Sequence, residues 1–518
     1  MRVRRMLVDA LATVTRPFVA DTAHPVRDGA RWLSSAGPIS VSTHDLGHEV
    51  ATAVSEALEA GGLAPFLVER SGDGFVLGVL AEHRRSAATA LARALDGPGW
   101  HVRWADGRRN GTVALPRAAR DRHVRRARRW QVFRAHSWGD ELIGANQGAD
   151  ITFWEPGTSG ELELVGERGH HRFDASSPAT IEVIDGRRYP GRTAFPIERD
   201  LEAVDLPIDI VYTWVDGGDA AWQERLRTTE RAHGKSVDPA SVDPARFATR
   251  DELRYSLRSV WAFCGWARSI VIVTDGQVPT WLRTDDRIRV VPHSAIMPSD
   301  ALPTFNSHAI EASLHRIEGL AEHFIYFNDD VFVGRPVRPE LFFTPNGLAK
   351  FFPSGARVPG VETVGRAGAD AAALRERGLL RDRFGRFATT KLLHAPHPLR
   401  RSTIENLSNE FADVIDATVR ARFRSPSDVS VAASFAAHYG ALTGRAVPGS
   451  LDAAYVHLES GRRSVALDRI GLGRDYDTFC LNETSAVPGD PTERDRQLVD
   501  FLERYFPIAA PWERDGAR

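Results

Sequence analysis

Residues 208–219 read Ile208-Asp209-Ile210-Val211-Tyr212-Thr213-Trp214-Val215-Asp216-Gly217-Gly218-Asp219. The first eight form a nearly continuous β-branched and aromatic run, the pattern of a strand covered on both faces, and the Asp-Gly-Gly-Asp that follows stops it. The same arrangement recurs twice downstream. Ser269 to Thr274 is an apolar strand ending in Asp275-Gly276-Gln277, and Phe324 to Phe327 is another ending in Asn328-Asp329-Asp330. Helical spacing fills the intervals at Asp251 to Phe263 and at His308 to Leu320. Strands alternating with helices predict an α/β fold with a parallel sheet, whose ligands bind beyond the carboxyl ends of the strands. Three polar endings on adjacent strands then converge on one crevice, where a nucleotide and a divalent metal would bind.

Working outward, the chain has 518 residues, too many for one hydrophobic core, so several units are expected. From Pro38 the order is strand (Ile39 to Val41), helix (His48 to Ala60), two strands (Pro65 to Glu69, Phe75 to Leu80) around Ser71-Gly72-Asp73-Gly74, helix (Arg84 to Leu95) and strand (His101 to Trp104). That order resembles a small ferredoxin-like α+β domain over 38–116, with a scaffold or partner-binding role, behind an N-terminal segment 1–37. Residues 117–205 read as a basic helix and β-rich bridging region. Its run Arg117 to Arg134 contains Arg125, Arg126, Arg128 and Arg129 with Trp130 and Phe133 interleaved. A solvated helix face is favoured there over an anionic glycan or membrane contact. The α/β domain spans 206–485, and 486–518 is expected to be a helical tail.

A formal charge of -2 argues against a nucleic-acid partner. Two cysteines, Cys264 and Cys480, can build neither a disulfide framework nor a four-cysteine zinc site. Met1 to Arg5 is basic, but Asp9 interrupts the apolar stretch that follows, so no signal peptide is expected. Nor is there an apolar run of about 18 residues. A soluble, cytoplasmic chain is the expectation.

Within the crevice, Asp329 and Asp330 are what a hard cation bridging a diphosphate requires, with Mg2+ or Mn2+ as the ion. Asp251, Arg254, Tyr255 and Arg258 share one helical face, able to hold a phosphate. From the residues alone a surface ion-pair ladder is the better reading of that face. His308, Glu311 and His315 share another, with Arg316 alongside, and read as substrate contacts rather than a zinc site. His394 lies in the Pro-restricted stretch His394-Ala395-Pro396-His397-Pro398, ahead of a helix that Ser402 and Glu405 would cap, and could act as a general base near neutral pH. Arg422-Phe423-Arg424 adds guanidiniums beside a Ser-Pro turn, with Asp428 as a cap. No GxxxxGK[ST] loop, strand-following GxGxxG or kinase signature set is present.

These motifs carry a resemblance. Residues 208–222 (IDIVYTWVDGGDAAW), 250–282 (RDELRYSLRSVWAFCGWARSIVIVTDGQVPTWL), 305–334 (FNSHAIEASLHRIEGLAEHFIYFNDDVFVG), 394–407 (HAPHPLRRSTIENL) and 479–483 (FCLNE) look like successive signature regions of the Stealth proteins. The resemblance covers about 206–483. It implies a Rossmann-like, glycosyltransferase-A-related catalytic core that uses a UDP-sugar donor, commonly UDP-GlcNAc, a divalent cation and a polysaccharide acceptor. Asp251, His394 and Arg424 would be catalytic, and Glu483 stands where relatives often show Asp. Tyr212, Trp214 and Asp216 would contact the nucleotide, Asp275 and Gln277 the donor, and His308 and Glu311 donor or acceptor, with Arg254, Arg258 and Asn328 completing the binding set. The implied reaction is transfer of a sugar 1-phosphate to a cell-surface polysaccharide with release of UMP, at the inner face of the membrane or beside the assembly machinery. An ordinary UDP-releasing glycosyltransferase and a non-catalytic carbohydrate- or nucleotide-binding subunit are the rival readings.

Overall fold

The computed structural model describes residues 25–28, 31–71, 74–106, 108–157, 160–166, 169–195, 201–234, 237–358, 368–483 and 491–514. The chain divides into two compact units, one ending at Leu201 and one beginning at Glu202. The reading of Met1 to Arg5 and Asp9, and most of the segment 1–37, lies outside the described residues.

In the first unit the helices Thr43–Ala60 and Arg84–Ala94 form, and so do the strands Phe66–Ser71, Gly74–Leu80 and Trp100–Asp106. A ferredoxin-like sheet does not. Pro38 makes only an isolated bridge to Ser137, so the central strand expected at Ile39 is missing. Gly74–Leu80 pairs instead with Ala149–Pro156, which pairs with Arg129–Arg134, which pairs with Trp100–Asp106. The middle of the sheet therefore comes from residues 129–156, and the segment read as a bridge belongs to the same unit. The basic run is likewise not a helix face. After the short helix Leu115–Ala118 it passes through turns, then enters the strand Arg129–Arg134. Its arginines 125, 126, 128 and 129 are exposed while Val124, Ala127 and Trp130 are buried. The Trp130 indole N–H donates to Val124 O at 2.8 Å, which fixes this alternation.

The second unit is built on five strands in the spatial order Ile288–Pro292, Ser269–Thr274, Ile208–Thr213, His323–Asn328, His397–Arg400. The first four are parallel and the last antiparallel. In chain order this is 3-2-1-4-5, a Rossmann-like succession that reverses between Ile208–Thr213 and His323–Asn328, where such sheets bind ligands. Val211, Val271, Val273, Phe324, Tyr326 and Leu399 pack into a core with Ile404, Leu407, Val419 and Phe435. Asp209, the one acid within the first strand, is fully buried. It accepts from Arg268 Nε at 2.8 Å, Ser269 Oγ at 2.8 Å and the Ala321 N–H at 2.8 Å, so it fastens the amino end of the sheet.

Two local expectations are corrected. The helix read from His308 to Leu320 is one short helix, Ser307–Glu311, followed by a 3-10 turn at Leu314–Arg316. Leu314, Ile317 and Leu320 are buried every third residue, a period that fits the tighter turn, and His315 leaves the His308–Glu311 face. Ser402 does not cap a helix, because Arg401–Glu410 starts one residue earlier and the Ser402 hydroxyl donates to Glu322 Oε1 at 2.5 Å.

The helix Glu252–Phe263 lies beneath a small sheet of Val331–Val333, Thr478–Asn482 and Ala453–His457. Ser256 Oγ donates to Val331 O and the Val333 N–H donates to Ser259 Oγ. The C-terminal segment closes over the same helix. Glu513, 3% exposed, accepts from Arg254 Nε at 2.5 Å and from Arg258 Nε at 2.6 Å. Removing one partner of a buried ion pair costs about 3–5 kcal/mol, because the other charges stay buried without a counter-ion. Glu513→Ala is therefore expected to lower unfolding stability on that order in a denaturant titration, and an unchanged midpoint would show that the arginines are not held this way.

Glu376, on the helix Ala369–Phe384, is fully buried and accepts from the Ser430 N–H and Ser434 Oγ, both at 2.7 Å, at the π-turn Val431–Phe435. Burial pushes its carboxyl up to about 8 from an ordinary 4.5. A raised carboxyl favours the folded chain while protonated, so that contribution is fully present below about 4.5 and is lost progressively as pH rises from there to about 8. The melting temperature should fall across that window, and Glu376→Gln should flatten the fall; an identical pH profile in the variant would refute the assignment.

Candidate active site

Sheet register alone delivers His394 to the third strand end. His397 pairs with Tyr326 and Pro398 with Ile325, antiparallel, so the residues just before His397 run alongside the end of His323–Asn328. His394 Nε2 stands 3.2 Å from Asn328 Nδ2 and 3.8 Å from Asp330 Oδ1. The small sheet brings up the other side. Val331 pairs with Cys480, so Cys480 Sγ donates to Asp330 Oδ2 at 3.3 Å and Asn482 Nδ2 donates to the same oxygen at 3.1 Å.

The charges are strongly coupled. Burial would push the Asp330 carboxyl up, but the nearby His394, with the hydrogen bonds from Cys480 and Asn482, holds it below its usual range. Burial would likewise lower the His394 imidazole, yet Asp330, then Glu311, raise it above its ordinary value. Asp329 has no such cation. Burial first, then the charges of Asp330 and Glu252, drive its carboxyl well above the carboxylate range. Asp330 Oδ1 is buried with no hydrogen-bond partner among the described residues. Clustered carboxylates short of positive charge are the donor set a divalent cation requires. Asp330, His394 and Cys480 also offer ligand atoms within 4.8 Å of one another.

Arg424 faces this group. Its Nη2 donates to Ser307 Oγ at 2.7 Å, and its pKa is depressed, chiefly by burial. Arg246, in the turn Pro244–Arg246, is pushed down to about 10 by burial and then by the charge of Arg424. The Nε of each is buried with no hydrogen-bond partner among the described residues. Two guanidiniums that repel one another, each with an unpartnered Nε, are the donor set an anion would satisfy. Glu311, in reach of Arg424 and His394 by charge, accepts from Ser430 Oγ at 3.1 Å. His308 sits behind it, with Nδ1 3.6 Å from Asp428 Oδ2, and Asp428 also accepts from Asn306 Nδ2.

Other expected residues have different roles in the structure. Tyr212 is fully buried, and its hydroxyl lies 2.8 Å from Ser256 Oγ, so it is a core residue rather than a nucleotide contact. The Trp214 backbone N–H donates to Val273 O, and the residue is buried. Gln277 staples the first strand-end loop: Oε1 accepts from the Asp216 N–H, and Nε2 donates to Asp216 O and Asp219 Oδ2. Asp275 accepts from Arg225 Nε and Nη2. Arg258 is occupied through all three nitrogens by Glu513 and Phe506 O, and Arg254 gives its Nε to Glu513, so both guanidiniums hold the C-terminal segment in the structure. Glu483 is clasped by Arg250 at 2.6 Å and Arg494 at 2.9 Å. Asp251 occupies the N-cap position of the helix Glu252–Phe263 in a left-handed conformation (φ 63) without a side-chain capping bond, and its Oδ1 accepts instead from Trp281 Nε1 at 3.2 Å.

The sequence reading missed Arg246, Glu252 and Cys480. Glu252, buried beside Arg250, adds its charge to Asp329, while Asp251 next to it is exposed. Helical spacing groups Asp251 with Arg254 but does not encode which of two adjacent acids turns inward. Arg246 lies in an aperiodic Pro-containing turn, and Cys480 reaches Asp330 only through cross-strand pairing.

Conserved regions 1, 2, 3 and 4 of the Stealth proteins match residues 206–234, 246–351, 393–441 and 468–518. An exopolysaccharide phosphotransferase of Streptomyces coelicolor, SCO6021, is 40% identical over 485 residues, covering 88% of each chain. An exopolysaccharide phosphotransferase of Nocardia farcinica is 43% identical over 319 residues, 61% of this chain and 62% of that one. CpsY of Mycobacterium tuberculosis, with the same activity in its name, is 41% identical over 317 residues, 61% of this chain and 59% of its own. With all four regions present in order and a relative matched over most of both chains, this protein belongs to the Stealth family.

Proposed function

We propose that the chain is an exopolysaccharide phosphotransferase that moves a hexose 1-phosphate, such as GlcNAc 1-phosphate, from a UDP-sugar to a polysaccharide hydroxyl and releases UMP. The observation that carries this reading is the Asp330–His394 pair at the switch point of the sheet, facing Arg424 and Arg246 with their free Nε donors. That arrangement combines an oriented base with a pocket for a pyrophosphate.

The acceptor hydroxyl gives its proton to the His394 imidazole, and Asp330 stabilises the imidazolium that results. The acceptor oxygen forms a new bond to the β-phosphorus, and the bond from that phosphorus to the α–β bridging oxygen breaks. UMP departs with the bridging oxygen, and the sugar's anomeric C–O bond is untouched. Arg246 and Arg424 hold the equatorial phosphoryl oxygens, where positioning and charge stabilisation are most of what phosphoryl transfer asks of a protein. Asp329 and Asp330 would hold Mg2+ or Mn2+, which supplies charge neutralisation at the diphosphate. Asn328 keeps the imidazole in place.

No helix among the described residues is long and apolar enough to cross a membrane. We place the protein in the cytoplasm, beside the polysaccharide assembly machinery at the inner membrane face. The exposed Arg125, Arg126 and Arg128 suit the anionic surface there.

Donor labelled at the β-phosphate, supplied with Mg2+ and acceptor, should leave its label in the glycan with unlabelled UMP. Label in UDP would instead identify a glycosyltransferase, and no turnover a binding subunit. His394→Ala and Arg246→Ala should each lower kcat/KM by about 100-fold or more with unchanged circular dichroism; wild-type rates in both would remove the assignment.

A further inference from the structure

A second cluster of ligand-type side chains lies in the N-terminal unit, apart from the chemistry described above. The helix Thr43–Ala60 carries His44 and His48 at i and i+4, so both imidazoles share one face. The strands Ala179–Ile184 and Arg187–Arg192 form a hairpin whose turn, Asp185-Gly186, reaches that face. Asp185 Oδ2 lies 3.0 Å from His48 Nε2 and 3.5 Å from His44 Nε2. The three ligand atoms are all within 4.8 Å of one another. In a tetrahedral zinc site with bonds of about 2.0–2.1 Å, neighbouring ligand atoms stand roughly 3.3 Å apart. The two observed separations bracket that value.

The surroundings fit the same chemistry. His48 Nδ1 lies 2.7 Å from the Tyr189 hydroxyl, the kind of outer hydrogen bond that orients a ligating imidazole. Tyr189 stacks on Phe75, and His48 meets Phe75 edge-on, so the ring is held from both sides. Two imidazoles and one carboxylate suit zinc better than Mg2+ or Ca2+, which take oxygen ligands. Arg70 Nη2, 3.6 Å from the same Asp185 oxygen, is a competing cation. Its side chain is 31% exposed and can turn toward solvent.

We propose that His44, His48 and Asp185 form a zinc site that fastens the Asp185 hairpin turn onto the first helix, with the remaining coordination position left to water. The site is independent of the sugar-phosphate chemistry proposed for the second unit.

The test uses the full chain, stripped with a chelator and titrated with zinc by calorimetry. A His394→Ala background takes one ligand from the Asp330, His394 and Cys480 group and so weakens it as a competing zinc binder. That chain should bind one zinc and gain melting temperature with it. Adding His44→Ala or Asp185→Asn should weaken binding at least tenfold and abolish the thermal gain. Asn keeps the left-handed turn, so loss in that variant reports the ligand rather than the fold. Zinc binding equal to the parent in both double variants, or none in the His394→Ala chain, would overturn the proposal.

Discussion

Left alone in this partly buried setting, the carboxyl of Asp330 and the imidazole of His394 would each shed charge; placed together, His394 holds Asp330 as a carboxylate and Asp330 makes His394 a stronger base. Much of the second unit serves to create that juxtaposition. An antiparallel edge strand sets His394 against the end of the central strand, and the short sheet at Val331–Val333 presents Cys480 and Asn482 to the far oxygen of Asp330. The reversal in strand order opens the crevice at the same point. A slip of one residue in either pairing would turn the cluster's side chains to the opposite face of the sheet.

The electrostatic asymmetry of the crevice follows from how each strand end is satisfied. At the first, Gln277 and the loop's own N–H groups occupy Asp216 and Asp219. At the second, Arg225 occupies Asp275. Only the third leaves acids without enough positive charge, and across from it two guanidiniums lack enough negative charge. A metal-bound diphosphate would supply both deficits at once, since it carries cation and anion together.

Much of this arrangement was legible in the sequence, and the limits have physical causes. The parallel strands announced themselves as apolar runs because they are buried on both faces, and the acids that stop them marked the crevice. Arg254 and Arg258 could not be read correctly, because their partner Glu513 lies some 250 residues away and no local period encodes it. Tyr212 was misplaced because a strand pattern shows that a side chain is buried, not whether its hydroxyl meets Ser256 or a ligand. In the N-terminal unit each predicted strand but the first formed, yet strands contributed later in the chain, Arg129–Arg134 and Ala149–Pro156, took the middle of the sheet. Local patterns specify elements well and partners poorly.

The most direct measurement is a crystal structure of the full chain with an intact UDP-sugar and Mg2+. The pyrophosphate should lie with its oxygens within hydrogen-bond distance of Arg246 Nε and Arg424 Nε, and with His394 on the side from which an acceptor approaches the β-phosphorus. A donor seated at the Arg254 and Arg258 face, or away from the end of the strand His323–Asn328, would contradict the account.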